Sequence, residues 1–200
     1  MELVEIITDI ADALKAVDQE RPSEKKQKEG YFMPGIGPHN EDHLRDFAIK
    51  HLKEDPDKKH YYLNAGPKNY PGNSQECDLV IPGEWAIELK LLRPYGDNGN
   101  EADHWSNKIL HPYYGNKSSM GDVLKLIGSG FSERKAIILF GFEHSDPKID
   151  IEMVLRSFEI ILLEVHGIRL SSRINIKREG LVHPVFQSLR VIGWEIIGKK

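Results

Sequence analysis

The sequence has a single cysteine, no long apolar run and no excess of basic charge, and each absence excludes a class of protein. Cys77 is the only cysteine among 200 residues, so neither an internal disulfide nor a multi-cysteine zinc site can form. The longest apolar run is about seven residues, Ala136 to Phe142 with its glycine included, whereas a membrane-spanning helix needs about 20. We therefore expect no membrane-spanning helix.

The first residues, MELVEIITDI, are acidic and amphipathic, and they lack the basic segment and the small-residue cleavage site of a secretory signal peptide. This predicts a cytoplasmic protein. Hydrophobic residues make up 40% of the chain and charged residues 29%, the ordinary balance of a soluble globular domain. Because the chain has no linker-like segment and no internal repeat, we predict one domain over residues 1–200.

The formal net charge is −4, from 27 basic and 31 acidic side chains, which as a whole is not the balance of a strong nucleic-acid binder. The charge is spread unevenly, because residues 168–200 hold seven basic and two acidic side chains. These basic residues either form a phosphate-facing patch, with Arg173 and Lys177 as candidate contacts, or simply face water on the last strands.

Apolar periodicity predicts an irregular alternation of helices and strands. Asn40 is a predicted N-cap, and Ser119 with Asp122 resembles a capping box. Because the alternation is irregular, we expect an α/β fold with a mixed β-sheet flanked by helices. The predicted helices cover 3–17, 40–53, 119–127, 151–166 and part of 101–110, and the predicted strands cover 60–66, 76–81, 84–92, 136–142, 168–176 and 185–197.

The length of the loop between strands 76–81 and 84–92 decides which residues face each other. A two-residue loop would place Asp78 on the same face as Ile87, against the apolar pattern. A three-residue loop pairs Ile81 with Trp85, and it brings Asp78 directly opposite Glu88 with their Cβ atoms about 5 Å apart. We predict the three-residue loop, because it keeps the apolar residues on one side.

Two carboxylates directly opposite each other repel, and a divalent cation held between them reverses that sign. Two carboxylates with a main-chain carbonyl and waters suit Mg²⁺. Glu41 lies three residues before Leu44 on the apolar stripe of its helix, so it is a third carboxylate that faces inward. Two alternatives stay open: Glu41 complements the helix dipole, and the strand residues are surface charges on an exposed sheet face.

Asp78, followed after a tight turn by Glu88-Leu89-Lys90, resembles the PD-(D/E)XK nuclease superfamily, whose fold is called restriction-endonuclease-like. Members of that superfamily carry an Asp on one strand and Glu-x-Lys on the next, often with a Glu on the preceding helix, a position that Glu41 matches here. Where the superfamily motif usually has a proline, directly before the Asp, this chain has a cysteine.

The predicted elements over residues 40–142 also follow the αβββαβ core of that superfamily, here with an extra N-terminal helix and with a C-terminal helix and strands. The resemblance implies a metal-dependent nuclease that hydrolyses phosphodiester bonds, with DNA as the expected substrate, as an endonuclease of the restriction or repair type. It implies Mg²⁺, with Mn²⁺ as a substitute, as the cofactor.

The resemblance also assigns roles to individual residues. The implied metal ligands are Asp78, Glu88, the carbonyl of Leu89 and Glu41. Lys90 would orient or deprotonate the attacking water, or neutralise charge on the transition state.

Nucleic-acid contacts are predicted at Lys117, in a long loop rich in aromatic residues, and at Lys125, on the helix that follows the catalytic strand. The alternative is that the aromatic residues pin the loop to the core and that the lysines are solvated. An alternative function is a non-catalytic nucleic-acid-binding or protein-binding module that retains the nuclease fold. The sequence leaves a homodimer open.

Overall fold

Seven strands form one mixed sheet with helices on both faces, so the predicted α/β architecture is confirmed. The computed structural model describes residues 1–20, 26–27, 30–31, 34–111 and 118–199. The helices are α1 (Leu3–Gln19), α2 (Glu41–Glu54), α3 (Lys59–Tyr62), α4 (Asn107–Leu110), α5 (Ser119–Ile127) and α6 (Glu152–Glu164). The strands are β1 (Lys26–Gln27), β2 (Gly30–Tyr31), β3 (Gly66–Asn69), β4 (Glu76–Ile81), β5 (Trp85–Leu92), β6 (Arg134–Glu143), β7 (Ile168–Leu170), β8 (Ile174–Glu179) and β9 (Ser188–Lys199).

The strand order in the large sheet is β3-β4-β5-β6-β9-β7, and β8 also pairs with β9. The pairs β3–β4, β4–β5 and β6–β9 are antiparallel, whereas β5 and β6 are parallel. A parallel pair needs a crossover connection, and the segment that contains α4 and α5 supplies it. The strands β1 and β2 form a separate antiparallel hairpin.

Both faces of the sheet are buried, which differs from the prediction of one apolar face and one charged face. On one face Trp85 and Leu89 pack with apolar residues of α1 and α2. On the other face Ala86 packs with residues of α5 and α6, including Phe158. The difference has a topological cause, because a strand with a parallel neighbour is covered by its crossover helix. Glu88 and Lys90 therefore lie beneath α5 rather than on an exposed surface.

Two predicted strands differ from the observed structure. The predicted strand 60–66 is wrong, since α3 covers 60–62 and β3 begins only at Gly66. Tyr62 explains the helix, because its side chain is fully buried and its hydroxyl donates a hydrogen bond to Asp9 Oδ2 at 2.9 Å. The predicted strand 168–176 is divided into β7 and β8 by Ser171–Arg173.

The helix boundaries follow their caps. Asn40 caps α2 as predicted, with its Oδ1 accepting a hydrogen bond from the His43 amide at 3.0 Å. The cap of α5 is Ser118 and not Ser119, because the Ser118 Oγ accepts from the Gly121 amide at 3.2 Å. The predicted helix within 101–110 is limited to α4. In the described part of the chain, no helix has the length and apolar character needed to cross a membrane.

Candidate active site

The strand β4 separates from β5 at Asp78. Ile81 pairs with Trp85 and Leu79 pairs with Ile87, which is the register predicted from the three-residue loop. At the next position the Asp78 side chain turns toward β5, and its Oδ2 accepts a hydrogen bond from the Leu89 amide at 2.7 Å. A carboxylate therefore replaces a strand carbonyl at this edge of β5.

Glu41 occupies the same edge of β5 two residues further along. Its Oε1 accepts a hydrogen bond from the Leu91 amide at 3.2 Å, so the side chain faces the sheet as predicted. The N–H and C=O groups of one strand residue point to the same edge. The Leu89 carbonyl consequently lies between the two amides that these carboxylates bind, which is where a main-chain metal ligand was predicted.

Glu88 is a buried carboxylate in contact with a second one. Its side chain is 2% exposed, and its Oε1 accepts a hydrogen bond from the Tyr70 hydroxyl and lies 2.9 Å from Lys125 Nζ. Burial raises the pKa of Glu88 to about 8, and the charges of Asp78 and Asp122 and a hydrogen bond with Asp78 add to this increase. Lys125 opposes the increase only in part. The predicted direct cross-strand pairing of Asp78 with Glu88 is not formed, because the pairing of β4 with β5 ends at Leu79, but the Asp78 charge still acts on Glu88.

Lys90 extends from the same face of β5 as Glu88 and meets α5. Its Nζ lies 2.9 Å from Asp122 Oδ2, and Lys125 Nζ lies 3.3 Å from Asp122 Oδ1. Burial lowers the pKa of Lys90, but Asp122, together with Glu41 and Asp78, raises it above its ordinary value. Lys90 is therefore a charged ammonium group at neutral pH.

Asp122 and Tyr70 complete this network, and sequence reasoning missed both. The sequence predicts a capping role for Asp122. In the structure Ser118 caps α5 instead, and Asp122 is buried, with 6% of its surface exposed. The spacing of Asp122 and Lys125, three residues apart on one helix face, is the signal that identifies the pair. Tyr70 carried no such signal, because its contact with Glu88 depends on how the chain folds after β3.

The network holds more carboxylates than cations, and this excess bears on metal binding. Among the residues that the structure describes, no group of three or more His, Cys, Asp or Glu side chains is placed to hold one metal ion. Glu41 is thus not brought into a single three-carboxylate group with Asp78 and Glu88. The pair formed by Asp78 and Glu88, joined by the Leu89 carbonyl, fits Mg²⁺, which takes one or two carboxylates and keeps several waters.

The fit rests on the contact between two carboxyl groups. Among the described residues, the Leu89 amide donates to Asp78 Oδ2 and the Tyr70 hydroxyl donates to Glu88 Oε1. The raised pKa of Glu88 records the unfavourable charge repulsion that a shared cation would relieve.

A groove of about 360 Å³ opens beside this site. Glu41, Leu91, Arg93, Trp105 and Lys108 are among the residues that line it. The Arg93 guanidinium donates a hydrogen bond to the His39 carbonyl, and burial lowers the pKa of Arg93 below its usual range. The groove combines two cations with an aromatic ring next to the carboxylates.

The structure describes three of the four predicted nucleic-acid contacts, and of these Lys125 lies at the carboxylates. Lys117 lies outside the described residues, and Lys125 lies inside the carboxylate network. Arg173 pairs with Glu152 and Glu159, and Lys177 pairs with Glu179. The strands β6 and β9 separate β8 from β5, so the structure does not bring Arg173 and Lys177 to the carboxylates.

Comparisons of this chain with protein-family models, with curated proteins and with solved structures gave no match. The function is therefore inferred from the chemistry of the site itself.

Proposed function

We propose that this chain is a Mg²⁺-dependent nuclease of the cytoplasm that hydrolyses phosphodiester bonds, with DNA as the substrate. The observation that supports this most is the placement of Asp78, which binds the Leu89 amide where β4 leaves β5 and lies close enough to the buried Glu88 to raise its pKa. Lys90 lies two residues beyond Glu88 on the same face of β5. A carboxylate pair with a neighbouring ammonium group is the chemistry that metal-assisted phosphodiester hydrolysis requires.

In this proposal Asp78, Glu88 and the Leu89 carbonyl hold the cation, which is Mg²⁺ or, as a substitute, Mn²⁺. When bound, the cation polarises the phosphoryl group and lowers the pKa of a bound water. Glu41 binds the Leu91 amide at the same strand edge and so borders the metal site.

Lys90 acts on the water and on the charge of the transition state. Asp122 holds the Lys90 ammonium at 2.9 Å, which orients a group that would otherwise sample many rotamers. From this position Lys90 orients the attacking water or neutralises the charge that develops on the phosphoryl oxygens. Tyr70 and Lys125 both hold Glu88 through its Oε1 oxygen.

The groove beside Glu41 provides the path for the substrate strand. Arg93 and Lys108 attract phosphate groups, and Trp105 offers a flat face on which an unpaired base can stack. Asp97 and Asp103 line the same groove, so a bound cation at the site would also offset their repulsion of phosphates.

The second candidate is a binding module without catalysis. The observation that favours it is the pairing of both lysines, because Asp122 contacts Lys90 and Lys125 within the folded chain. A module of this kind would bind nucleic acid through the groove and would show no specific uptake of divalent metal at the carboxylates.

One pair of measurements separates the two candidates. Cleavage is assayed with Mg²⁺ and with Mn²⁺ on linear, nicked, branched and single-stranded DNA and on RNA, and metal uptake is followed by titration calorimetry. We expect the parent protein to cleave nucleic acid in a metal-dependent way and to release or absorb heat on metal binding. We expect Asp78→Asn to do neither. If the parent protein binds DNA but shows no heat of metal binding and no cleavage, the nuclease proposal is excluded and the non-catalytic binding module is supported.

A further inference from the structure

The outer face of α6 carries apolar side chains that no other part of the described chain covers. Met153 is 71% exposed and Ile160 is 59% exposed. Arg156 lies four residues before Ile160 and Glu164 four residues after it, and both are exposed. Side chains four residues apart share one helix face, so these four side chains form one continuous surface.

This surface is separate from the contacts that attach α6 to the fold. The opposite face of α6 buries Leu155, Phe158 and Leu162 against the sheet. Glu152 and Glu159 pair with Arg173. Within the described part of the chain, neither Arg156 nor Glu164 forms a direct ion pair, although the Arg156 charge acts on the pKa of Glu159.

The two charges are arranged symmetrically about Ile160, and this arrangement fits a second copy of the chain. In an antiparallel pair with its two-fold axis at Ile160, Arg156 of each copy meets Glu164 of the other copy. A parallel pair would instead place like charges together. We propose that the outer face of α6, defined by Met153, Arg156, Ile160 and Glu164, forms the antiparallel, two-fold interface of a homodimer.

The size of the surface predicts how strong this dimer is. With the two-fold axis at Ile160 the two helices overlap over residues 156–164, a strip about 13 Å long and about 10 Å wide, so α6 alone buries about 130 Å² on each copy. A stable interface buries about 1,200–2,000 Å² in total. The remainder must come from the adjoining groove of about 940 Å³, which Arg156 and Leu163 line on the α6 side and Ile197, 56% exposed, on the other. We therefore expect a reversible dimer that depends on protein concentration.

Sedimentation velocity over a concentration series tests this interface. We expect a monomer–dimer equilibrium in the parent chain. Ile160→Glu should raise the dissociation constant about a hundredfold or more, because it replaces the two apolar side chains at the centre of the interface by charged ones. Arg156→Glu and Glu164→Arg should each weaken the dimer about tenfold, because each creates two like-charge contacts.

The antiparallel geometry has its own test. The double variant that carries both Arg156→Glu and Glu164→Arg should restore the parental dissociation constant. Failure of the double variant to restore association would overturn the antiparallel arrangement.

The matched control is Lys50→Glu, a charge reversal at an exposed position of α2, which should leave the dissociation constant unchanged. Circular dichroism confirms that each variant is folded. A parent that stays monomeric at every concentration, or a dimer that Ile160→Glu does not weaken, would overturn the proposal. The measured quantity is mass, so this outcome is independent of whether the chain cleaves nucleic acid.

Discussion

Glu88 and Glu159 have similar partners and opposite proton affinities. Each accepts a hydrogen bond from an aromatic side chain, Glu88 from Tyr70 and Glu159 from Trp194. Each also pairs with a cation, Lys125 in one case and Arg173 in the other. Yet the pKa of Glu88 is raised to about 8, whereas the pKa of Glu159 is lowered from its ordinary value.

The neighbours of each glutamate explain the difference. Burial opposes ionisation of both, but at Glu159 the hydrogen bonds from Arg173 and Trp194 outweigh it. At Glu88 the nearby carboxylates of Asp78 and Asp122 add to the effect of burial. Carboxyl groups with strongly raised pKa values are common at metal and catalytic sites. The raised pKa of Glu88 supports the proposal that the β4–β5 edge is the functional region.

The largest expected effect is on catalysis at the β4–β5 edge. In the proposed nuclease, Lys90→Ala should lower the cleavage rate by roughly 10²–10³, by analogy with the loss of other preorganised donors. Its metal affinity should hold, because an ammonium group has no lone pair with which to bind a metal. Asp78→Ala should lose both metal affinity and cleavage. Cleavage assays and metal titrations of both variants provide the measurement.

The matched control for Lys90 comes from the other network. Glu159→Gln removes a carboxylate that pairs with Arg173 and Trp194, so it should leave the cleavage rate at the parental value. A Lys90→Ala protein that cuts at the parental rate would contradict the proposed role of this strand.

Glu88 and Glu159 should also give stability opposite dependences on pH when no divalent metal is present. The folded state holds the Glu88 proton up to about pH 8, whereas an unfolded glutamate releases it near 4.5. The folded state therefore binds more protons between these values, and its stability falls as the pH rises through them. Replacing Glu88 by Gln should remove this loss and so raise the free energy of unfolding, by an amount on the order of a few kcal/mol, at alkaline pH.

The lowered pKa of Glu159 has the reverse consequence. Its contribution is present above the ordinary value of 4.5 and is lost as the pH falls through the folded pKa. Glu159→Gln should therefore destabilise the protein at neutral pH and have little effect in acid. Urea unfolding of both variants across pH, with a chelator present, measures these slopes. If the free energy of unfolding depends on pH in the same way in Glu88→Gln and Glu159→Gln, the proposed difference between the two glutamates is wrong.

A smaller effect is expected at Asp122, which acts through Lys90. In the proposed nuclease, Asp122→Asn keeps the shape of the side chain but removes the charge that orients the Lys90 ammonium at 2.9 Å. We expect kcat to fall about 10–100-fold with KM nearly unchanged, since Asp122 holds a catalytic group and not the substrate. Asp122→Glu, which keeps the carboxylate, should recover part of the rate. An unchanged kcat in Asp122→Asn would show that Lys90 needs no such support.

The sequence predicted the strand edge well because alternation and loop length are local properties. The pairing of Ile81 with Trp85 followed from keeping apolar residues on one face, whereas the pairing ends before Asp78, whose side chain binds the Leu89 amide instead. The inward direction of Glu41 likewise followed from helical spacing after the Asn40 cap.

The positions of Asp122 and Tyr70 in the carboxylate network depend on tertiary contacts, which no local sequence pattern indicates. Asp122 looked like a capping residue because a serine stands three residues before it, but Ser118 binds the free amide instead. Tyr70 reaches Glu88 only because β3 and β4 form a hairpin that returns the chain to this point. The helix α3 replaced a predicted strand because burial of Tyr62 outweighed the alternating pattern.

The smallest expected effect is at Lys177, where sequence analysis placed a candidate phosphate contact. Lys177 is half-exposed, lies 2.5 Å from Glu179 and belongs to β8, which two strands separate from β5. A lysine that contacts phosphate lowers the slope of log affinity against log salt by about one when it is removed. Because Lys177 is already paired and lies away from the site, we expect Lys177→Ala to leave both DNA affinity and salt slope unchanged. Lys108→Ala, in the groove beside Glu41, serves as the matched comparison and should reduce the slope. If Lys177→Ala reduces the slope and Lys108→Ala does not, the DNA passes over β8, and the proposed path through the groove is wrong.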